Sequence, residues 1–288
     1  MSSNQLSRHA RAPLAVLRNS TTRDDLFGGL CVLACVNGLW GRVLMAVREG
    51  GWWGAVFSLD ISGIVLFACV GGVWLMLRDK SGEIRAADLA ATVLLLIFII
   101  LPIPALSWVA LTGLSLYILL FATGNSSRKR AAIIMLAITI PMLWVPLFFQ
   151  LFERSVLELD ASQVAWLIGS DRIGNMVAFS QGSGFIQIAP ACSSITNLSL
   201  AFLCWVGVTQ LANHRSSAQD ILWVFLVCFS AVAVNVTRVA LMAHSRQYFE
   251  VLHNQYWDLT STIANVLTVV VVVGFSVLGA RREIFSHA

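Results

Sequence analysis

Long apolar runs separated by short polar connections dominate the chain, and most of these runs are close to the length of one membrane-crossing helix. The hydrocarbon core of a bilayer is about 30 Å thick, so a helix that rises about 1.5 Å per residue needs roughly 20 apolar residues to cross it. Six runs meet this length, at residues 26–44, 55–77, 131–152, 194–212, 221–243 and 261–280. The pattern predicts an all-α membrane protein, because lipid leaves every backbone N–H and C=O to be paired inside a helix.

A longer apolar stretch covers residues 89–123 and contains two prolines near its middle. As a single helix these 35 residues would be about 52 Å long, which exceeds one crossing. Pro102 and Pro104 interrupt the stretch, since proline lacks the N–H that a helix interior needs. Two short crossings are therefore predicted here, which gives a bundle of about eight transmembrane helices. Pro141 and Pro146 predict kinks in the fifth crossing.

The one long polar connection covers residues 153–193 and carries two further patterns. Four apolar residues recur at helical spacing, namely Leu157, Ala161, Val164 and Ile168. They predict an amphipathic helix along the membrane surface. Residues 175–180 and 185–189 flank a glycine-containing turn and predict a hairpin. The connection is expected to form a small outer-face cap within a single integral-membrane domain at 1–288.

Composition agrees with a membrane protein and argues against a nucleic-acid-binding protein. Of the 288 residues 58% are hydrophobic and 12% are charged, compared with about 25% charged in soluble domains. The net charge is +4, but the basic residues are scattered over short connections and do not gather on one face. They are better interpreted as signals of membrane orientation.

The basic residues are distributed unevenly between the two sides of the predicted bundle. With the N-terminus inside, thirteen Lys and Arg fall in inside segments. Four fall in outside segments, namely Arg48, Arg154, Arg172 and Arg246. Positive residues near crossings favour the cytoplasmic side. The bias predicts that both termini are cytoplasmic and that the cap faces outward.

Cys192 differs from the other cysteines in its surroundings. The other five lie inside apolar runs, at Cys31, Cys35, Cys69, Cys204 and Cys228, where a free cysteine usually behaves as a small hydrophobe. Cys192 directly precedes Ser193 and Ser194, which are favoured capping residues. We expect Cys192 at a helix start, where unpaired backbone N–H groups and the helix dipole would stabilise a thiolate. An inert thiol is the alternative. The sequence has no CxxC or Cys/His cluster of metal spacing, so neither a zinc site nor a disulfide framework is predicted.

Two more side chains are predicted to reach the membrane face of Cys192. Arg238 lies a few residues before the outer end of the seventh crossing, and intramembrane charges tend to face a partner or water. Snorkelling to the interface is the alternative. His253 follows in the next outer connection and is a candidate general base and acid, with a solvated surface histidine as the alternative and His244 as a competitor. Asp60 is a candidate for ordering a base or binding a cation, or it begins a helix.

Three short motifs occur in the order of a known family. They are Ala-x-Ala-Cys-Ser-Ser at 189–194, Asn-Val-Thr-Arg at 235–238, and a histidine fifteen residues after Arg238. With this set, residues 131–280 resemble the exosortase/archaeosortase family of multi-pass membrane cysteine transpeptidases. The family commonly has glycine and often a basic residue just after the cysteine. This chain continues instead with Ser-Ser-Ile-Thr-Asn, which leaves Asn197 as a weaker donor.

The resemblance implies that Cys192 is the nucleophile, Arg238 the charge-stabilising arginine and His253 the third catalytic residue. It implies an enzyme of the bacterial inner membrane that cleaves the C-terminal sorting tails of exported, membrane-tethered proteins through an acyl-thioester at its outer face. The expected partners are membrane lipid and a protein substrate that ends in a short signature, a crossing helix and a basic tail. Neither a metal or organic cofactor nor nucleic acid is expected to take part.

Two alternatives from other functional classes remain open on the sequence. In a carrier or channel, Arg238 and Asp60 would line an anion path and Cys192 would be incidental, which the proline-broken crossings allow. Transport sites tend to lie near the bilayer midplane, whereas the three candidates are predicted at the outer edge. In the other alternative, the chain is a structural membrane subunit of an exopolysaccharide export system.

Overall fold

A computed structural model of the chain describes residues 22–57, 63–79, 82–121, 126–251 and 257–280. Helices make up most of this part of the chain, and the fold class is all-α. The chain divides into two compact units. The first comprises residues 1–61 and 69–136, and the second comprises residues 62–68 and 137–288. The prediction of a single integral-membrane domain stays a prediction.

The first half of the chain is built from helices and contains most of the first unit. These helices are α1 (Arg23–Phe57), α2 (Gly63–Arg78), α3 (Ala86–Ile100), α4 (Pro104–Phe121) and α5 (Ser127–Thr139).

The second half begins with a π-helical turn at Ile140–Trp144 and contains the candidate site. Its helices are α6 (Val145–Ile168), α7 (Ser194–Leu211), α8 (Gln219–Ala243), α9 (Arg246–Phe249) and α10 (Trp257–Gly279). Between α6 and α7 lie the strands β1 (Arg172–Ile173), β2 (Met176–Ala178) and β3 (Phe185–Gln187), followed by a 3-10 turn at Pro190–Cys192.

Membrane association is supported by the length and the surface of the helices. Within the described residues, five helical segments are long and apolar enough to cross a membrane, namely Arg23–Met45, Pro104–Phe121, Ser127–Ile168, Ser194–Leu211 and Gln219–Ala243. Large apolar side chains such as Leu120 and Leu151 are each 78% exposed. Apolar surface of this kind is stable where lipid covers it.

The predicted second crossing at 55–77 starts in the wrong place. Helix α1 continues for 35 residues to Phe57, so that Arg48, Trp52 and Trp53 lie inside a helix and not in a connection. Gly50 and Gly51 lower helix propensity by about 1 kcal/mol each, which is less than the cost of a proline. They do not end α1, and the next described helix begins at Gly63.

The predicted break inside 89–123 is confirmed. Helix α3 ends at Ile100 and α4 begins at Pro104. Leu101, which precedes a proline, has extended backbone angles (φ −62°, ψ 136°), as expected when the proline ring excludes the helical conformation.

The chain from Ser127 to Ile168 forms one bent helical path, where the sequence predicted a crossing followed by a separate surface helix. Pro141 lies in the π-helical turn, so a distortion at this proline is confirmed. Pro146 instead occupies the second position of α6, where its missing N–H leaves no gap in the helix. The direction changes at Phe152, whose angles (φ −124°, ψ 20°) are not helical.

The predicted hairpin is confirmed, and a third strand extends it. Strands β2 and β3 pair antiparallel, with Val177 opposite Ile186, and β1 pairs with the other edge of β2. Gly182 and Gly184 supply positive φ angles of 99° and 112° in the connecting turn, which side chains with a Cβ rarely adopt. The two residues of β1 are too few to produce an alternating pattern, which is why sequence analysis missed them.

One hydrophobic cluster joins α6, the hairpin and α8. Its buried members are Leu157, Ala161, Val164, Ala165, Val177, Ile186, Ile188, Val236, Val239, Ala240, Met242 and Ala243. The predicted apolar face of α6 therefore exists, and it packs against α8 and the hairpin. Cys192 contacts the edge of this cluster.

Helix α10 closes against α7 and α8 through a glycine, and we expect Gly279→Ala to destabilise the protein. A Cβ at Gly279 would lie 2.5 Å from Cζ3 of the buried Trp205 and 3.0 Å from Cγ of Trp223. Overpacking of this kind typically costs about 1–3 kcal/mol. The measurement is thermal unfolding of the purified protein in detergent. Gly274→Ala in the same helix is the matched control, because a Cβ there meets nothing within 4 Å. Equal unfolding midpoints for the two variants would contradict the predicted contact.

Candidate functional site

Cys192 ends the 3-10 turn that leads from β3 into α7. Its backbone N–H donates to Ala189 O at 2.8 Å, and the N–H of Ser193 donates to Pro190 O at 3.1 Å. Ser193 is the N-cap of α7, with its side chain accepting the N–H of Ile195 at 3.4 Å. The predicted capping role of Ser193 is confirmed, and Cys192 lies one residue before the cap.

A buried carboxylate occupies the N-terminus of α7. Asp160 of α6 is 5% exposed, and its Oδ2 accepts the backbone N–H of Ser194 at 3.1 Å. Sequence analysis missed Asp160. The available signal was an acidic residue beside the apolar face of α6, where an unpaired charge would be costly.

The predicted stabilisation of a Cys192 thiolate by the start of α7 stays a prediction, and the geometry shows which backbone donors are already paired. Unpaired N–H groups belong to the first turn of a helix, which begins after the N-cap. Cys192 precedes that turn, and the N–H groups of Cys192, Ser193 and Ser194 all donate to other acceptors. Asp160 Oδ2 is thus the acceptor that the structure gives for the first N–H of α7.

Asn235 of α8 connects the Cys192 segment to the bundle. Its Nδ2 donates to Cys192 O at 2.7 Å and to Ser194 Oγ at 3.0 Å. Its Oδ1 accepts from Nδ2 of Asn197 at 3.3 Å. The side-chain amide of Asn197, predicted as a weaker donor, thus donates to Asn235 in this structure. Asn235 belongs to the Asn-Val-Thr-Arg motif, which by itself predicts no role for the asparagine.

Arg238 lies on α8 three residues after Asn235, which is about 4.5 Å further along the helix axis and on the same side. It is half-buried and lines a cavity of about 410 Å³ between α8 and α10. The rest of the lining is mostly apolar, with Ala233, Val234, Thr237, Leu241, Met242, Ile263, Ala264 and Leu267. A guanidinium in such surroundings interacts with an anion more strongly than it would in water.

Some of the candidate residues predicted from the sequence fall outside the described residues. His253 and Asp60 both lie outside them. His244 follows the last residue of α8, and its Nδ1 lies 3.1 Å from Ser180 Oγ. Ser180 also donates its backbone N–H to Ala243 O at 3.2 Å, and Gln181 donates to His244 O at 2.9 Å. The hairpin turn is therefore fastened to the end of α8.

A second cavity, of about 560 Å³, forms a groove among α6, α7 and α8. Its lining is mostly apolar, with Gln163, Trp166, Leu167, Leu198, Phe225, Cys228, Phe229, Val232, Ala233, Val236 and Thr237. The α8 residues of this lining span about 18 Å of helix. Gln163 Oε1 is buried here without a hydrogen-bond partner among the described residues. An apolar groove with one free acceptor suits a hydrophobic chain that carries an N–H donor.

The structure thus brings Cys192 together with Asn235, Ser194 and Asp160, and it holds Arg238 one turn away on α8. Among the described residues, no three His, Cys, Asp or Glu side chains are grouped so that they could hold a metal ion.

Comparison of the chain with protein-family models, with curated protein sequences and with solved structures finds no match.

Proposed function

We propose that the protein is a membrane-embedded cysteine transpeptidase or protease that cleaves the C-terminal tails of membrane-tethered proteins, as the exosortase-like motifs imply. The observation that carries the proposal is the hydrogen bond from Asn235 to the carbonyl of Cys192. Through this bond the only cysteine outside the apolar helices is held against the helix that bears Arg238. Nucleophile and charge-stabilising group are thereby supplied by two elements in direct contact.

Cys192 would act as the nucleophile. Its thiolate attacks the carbonyl carbon of the scissile peptide bond and gives a tetrahedral oxyanion. The C–N bond then breaks, the amine leaves with a proton, and an acyl-thioester remains on Sγ. An amine acceptor releases the acyl group as a transfer product, and water releases it by hydrolysis. The half-buried position of Cys192 at the end of a loop supports this role.

Arg238 would stabilise the oxyanion. In many acyl-transfer enzymes, backbone N–H groups beside the nucleophile perform this task. Here the N–H groups of Cys192, Ser193 and Ser194 are already donated to Ala189, Pro190 and Asp160. The charge must then be balanced by a side chain, and the guanidinium one turn from Asn235 is suited to it.

A histidine would carry the proton. His253 is the residue that the family resemblance implies, and His244 is the alternative. The contact of His244 Nδ1 with Ser180 Oγ gives that ring a structural task at the end of α8. This contact favours His253 as the base that takes the thiol proton and returns it to the leaving amine.

The groove among α6, α7 and α8 supports a substrate with an apolar helix. Leu198 of the groove lies one turn after Ser194, and Val236 is adjacent to Asn235, so the groove begins beside the Cys192 segment. A helix that follows the scissile bond would have unpaired N–H groups in its first turn. Gln163 Oε1 is available to accept one of them.

The proposed setting is the bacterial inner membrane, with about eight crossings and both termini in the cytoplasm. Residues 153–193 would then form an outer cap, and the site would open to the outer face. The excess of basic residues in the predicted inner segments supports this orientation. Membrane lipid and a tail-bearing protein would be the partners.

Replacement of Cys192 by serine or alanine is expected to abolish processing of a reporter protein. The reporter carries the C-terminal tail of a co-expressed protein, and this tail has a crossing helix and a basic end. The reason is that no thioester can form. Processing is measured by the shift in reporter mass in membranes, with Cys204→Ala as the control, because it keeps Cys192 and lies outside the groove. Normal processing by either Cys192 variant would remove Cys192 from the mechanism.

Arg238→Lys is expected to reduce processing of the same reporter by about 10²–10³-fold, the usual effect of losing one oxyanion donor. Lysine keeps the charge but loses the planar guanidinium fork. The initial rate of reporter cleavage is compared at equal amounts of folded enzyme, with Arg246→Lys as the control, because Arg246 is exposed and pairs with Glu250. A rate within threefold of the parent would exclude Arg238 from charge stabilisation.

The two histidines are expected to differ. His253→Ala should reduce reporter cleavage by about 10²–10⁴-fold, the usual contribution of general acid–base catalysis. His244→Ala should lower the amount of folded protein with little change in rate per folded molecule, because it releases the hairpin turn. Size-exclusion chromatography and cleavage rate separate the two effects. The opposite outcome would assign the proton transfer to His244.

A further inference from the structure

Asn235 has no part in the catalytic roles that the family resemblance implies for Cys192, Arg238 and His253. It is 4% exposed inside a helix long and apolar enough to cross a membrane. Burying an amide costs free energy unless its donors and acceptor are bonded. The three hydrogen bonds that the structure gives the Asn235 side chain all go to the segment from Cys192 to Asn197, two through Nδ2 and one through Oδ1. The side chain is thus bonded to the segment that carries the cysteine.

The backbone on both sides of the Cys192 Cα is fixed by hydrogen bonds. The N–H donates to Ala189 O within the 3-10 turn, and the C=O accepts from Asn235 Nδ2. With both peptide planes held, the direction of the Cα–Cβ bond is set, and with it the space that Sγ can reach. The bond within the turn orients the residue locally. The bond to Asn235 ties it to another helix.

That other helix is the one that carries Arg238. Asn235 and Arg238 are three residues apart, a spacing that places them on one side of α8. The two positions are joined by a single turn of hydrogen-bonded backbone and keep a constant separation. A shift of about 1 Å between reacting groups can cost 10²-fold in rate.

We propose that Asn235 is a positioning residue, whose amide holds Cys192 at a fixed height on α8 beside Arg238. The effect of Asn235 on catalysis rests on the proposed function. The placement of Cys192 relative to Arg238 does not depend on it. Asparagine suits the position because it offers two donors and one acceptor at once. Aspartate has the same shape but would face the Cys192 carbonyl with an oxygen and no donor.

The geometric part is tested by crosslinking, with no substrate present. The full-length chain carries Arg238→Cys, its cysteines other than Cys192 are replaced by alanine, and the probe is a short bis-methanethiosulfonate reagent. With Asn235 present, Cys192 and position 238 should crosslink rapidly in the folded protein. Asn235→Asp should slow this step by about tenfold, since the segment is no longer held at its position. Equal rates would overturn the proposal.

Matched controls separate positioning from general damage to the buried polar groups. Ser199→Ala removes a buried hydroxyl of α7 whose bond goes to Thr196 O within the same helix, so crosslinking should keep the parent rate. Asn197→Ala removes the bond to Oδ1 and leaves both Nδ2 donors in place, so the rate should fall by less than about threefold. If Asn235→Asp gives no folded protein, Asn235→Ser, which is shorter and loses the reach to Cys192 O, replaces it.

The catalytic part is tested with the tail-bearing reporter and the natural Arg238. Asn235→Asp should lower kcat by about 100-fold while KM stays within about threefold, because a misplaced nucleophile still binds substrate. A loss that only follows the amount of folded protein would overturn the positioning role. If Cys192→Ala retains activity, the proposed function fails, and the crosslinking result still decides the role of Asn235. If Cys192→Ala is inactive and Asn235→Asp behaves like the parent, only this inference fails.

Discussion

The hydrogen bonds that satisfy the start of α7 are the constraint on which the rest of the second unit depends. Where a non-helical segment enters a set of apolar helices, each of its polar groups needs a partner, since an unpaired buried group costs about 1–3 kcal/mol. Asp160 of α6 accepts the N–H of Ser194, and Asn235 of α8 donates to the carbonyl of Cys192. Two different helices therefore meet the same short segment. The apolar cluster of α6, the hairpin and α8 packs beside this meeting point, with Cys192 at its edge.

These same bonds fix how the segment around Cys192 is held. The backbone N–H groups of Cys192, Ser193 and Ser194 already have acceptors. In the proposed mechanism, stabilisation of the oxyanion is therefore assigned to a side chain, Arg238 of α8. Apolar surroundings such as those of the cavity beside Arg238 strengthen the interaction of a guanidinium with an anion.

Local features of the fold could be predicted from the sequence, and contacts between distant residues could not. Helices α7 and α8, the break at Pro102 and Pro104, and the β2–β3 hairpin depend on apolar runs, prolines and glycines that act within a few residues. The continuation of α1 through Gly50 and Gly51 was missed because glycine weakens a helix without stopping it. The partnership of Cys192 with Asn235 joins residues 43 apart in the chain, and Ser194 with Asp160 joins residues 34 apart. No periodic pattern marks such pairs, so the motifs identified Cys192, Ser194 and Asn235, while Asp160 and the contacts among these residues needed the fold.

The chain before Cys192 is attached to α8 at two points. The segment from Ser180 to Cys192 is fastened to α8 at both ends, at Ala243 and His244 through the hairpin turn and at Asn235 through the Cys192 carbonyl. The two attachment points are about 12 Å apart along the helix axis, and Arg238 lies between them. Within this segment β3 pairs with the preceding strand β2, which limits the freedom of its backbone. Because Arg238 lies on the same helix as both attachment points, α8 sets much of the geometry between the Cys192 segment and Arg238, together with Asp160 of α6, which holds Ser194.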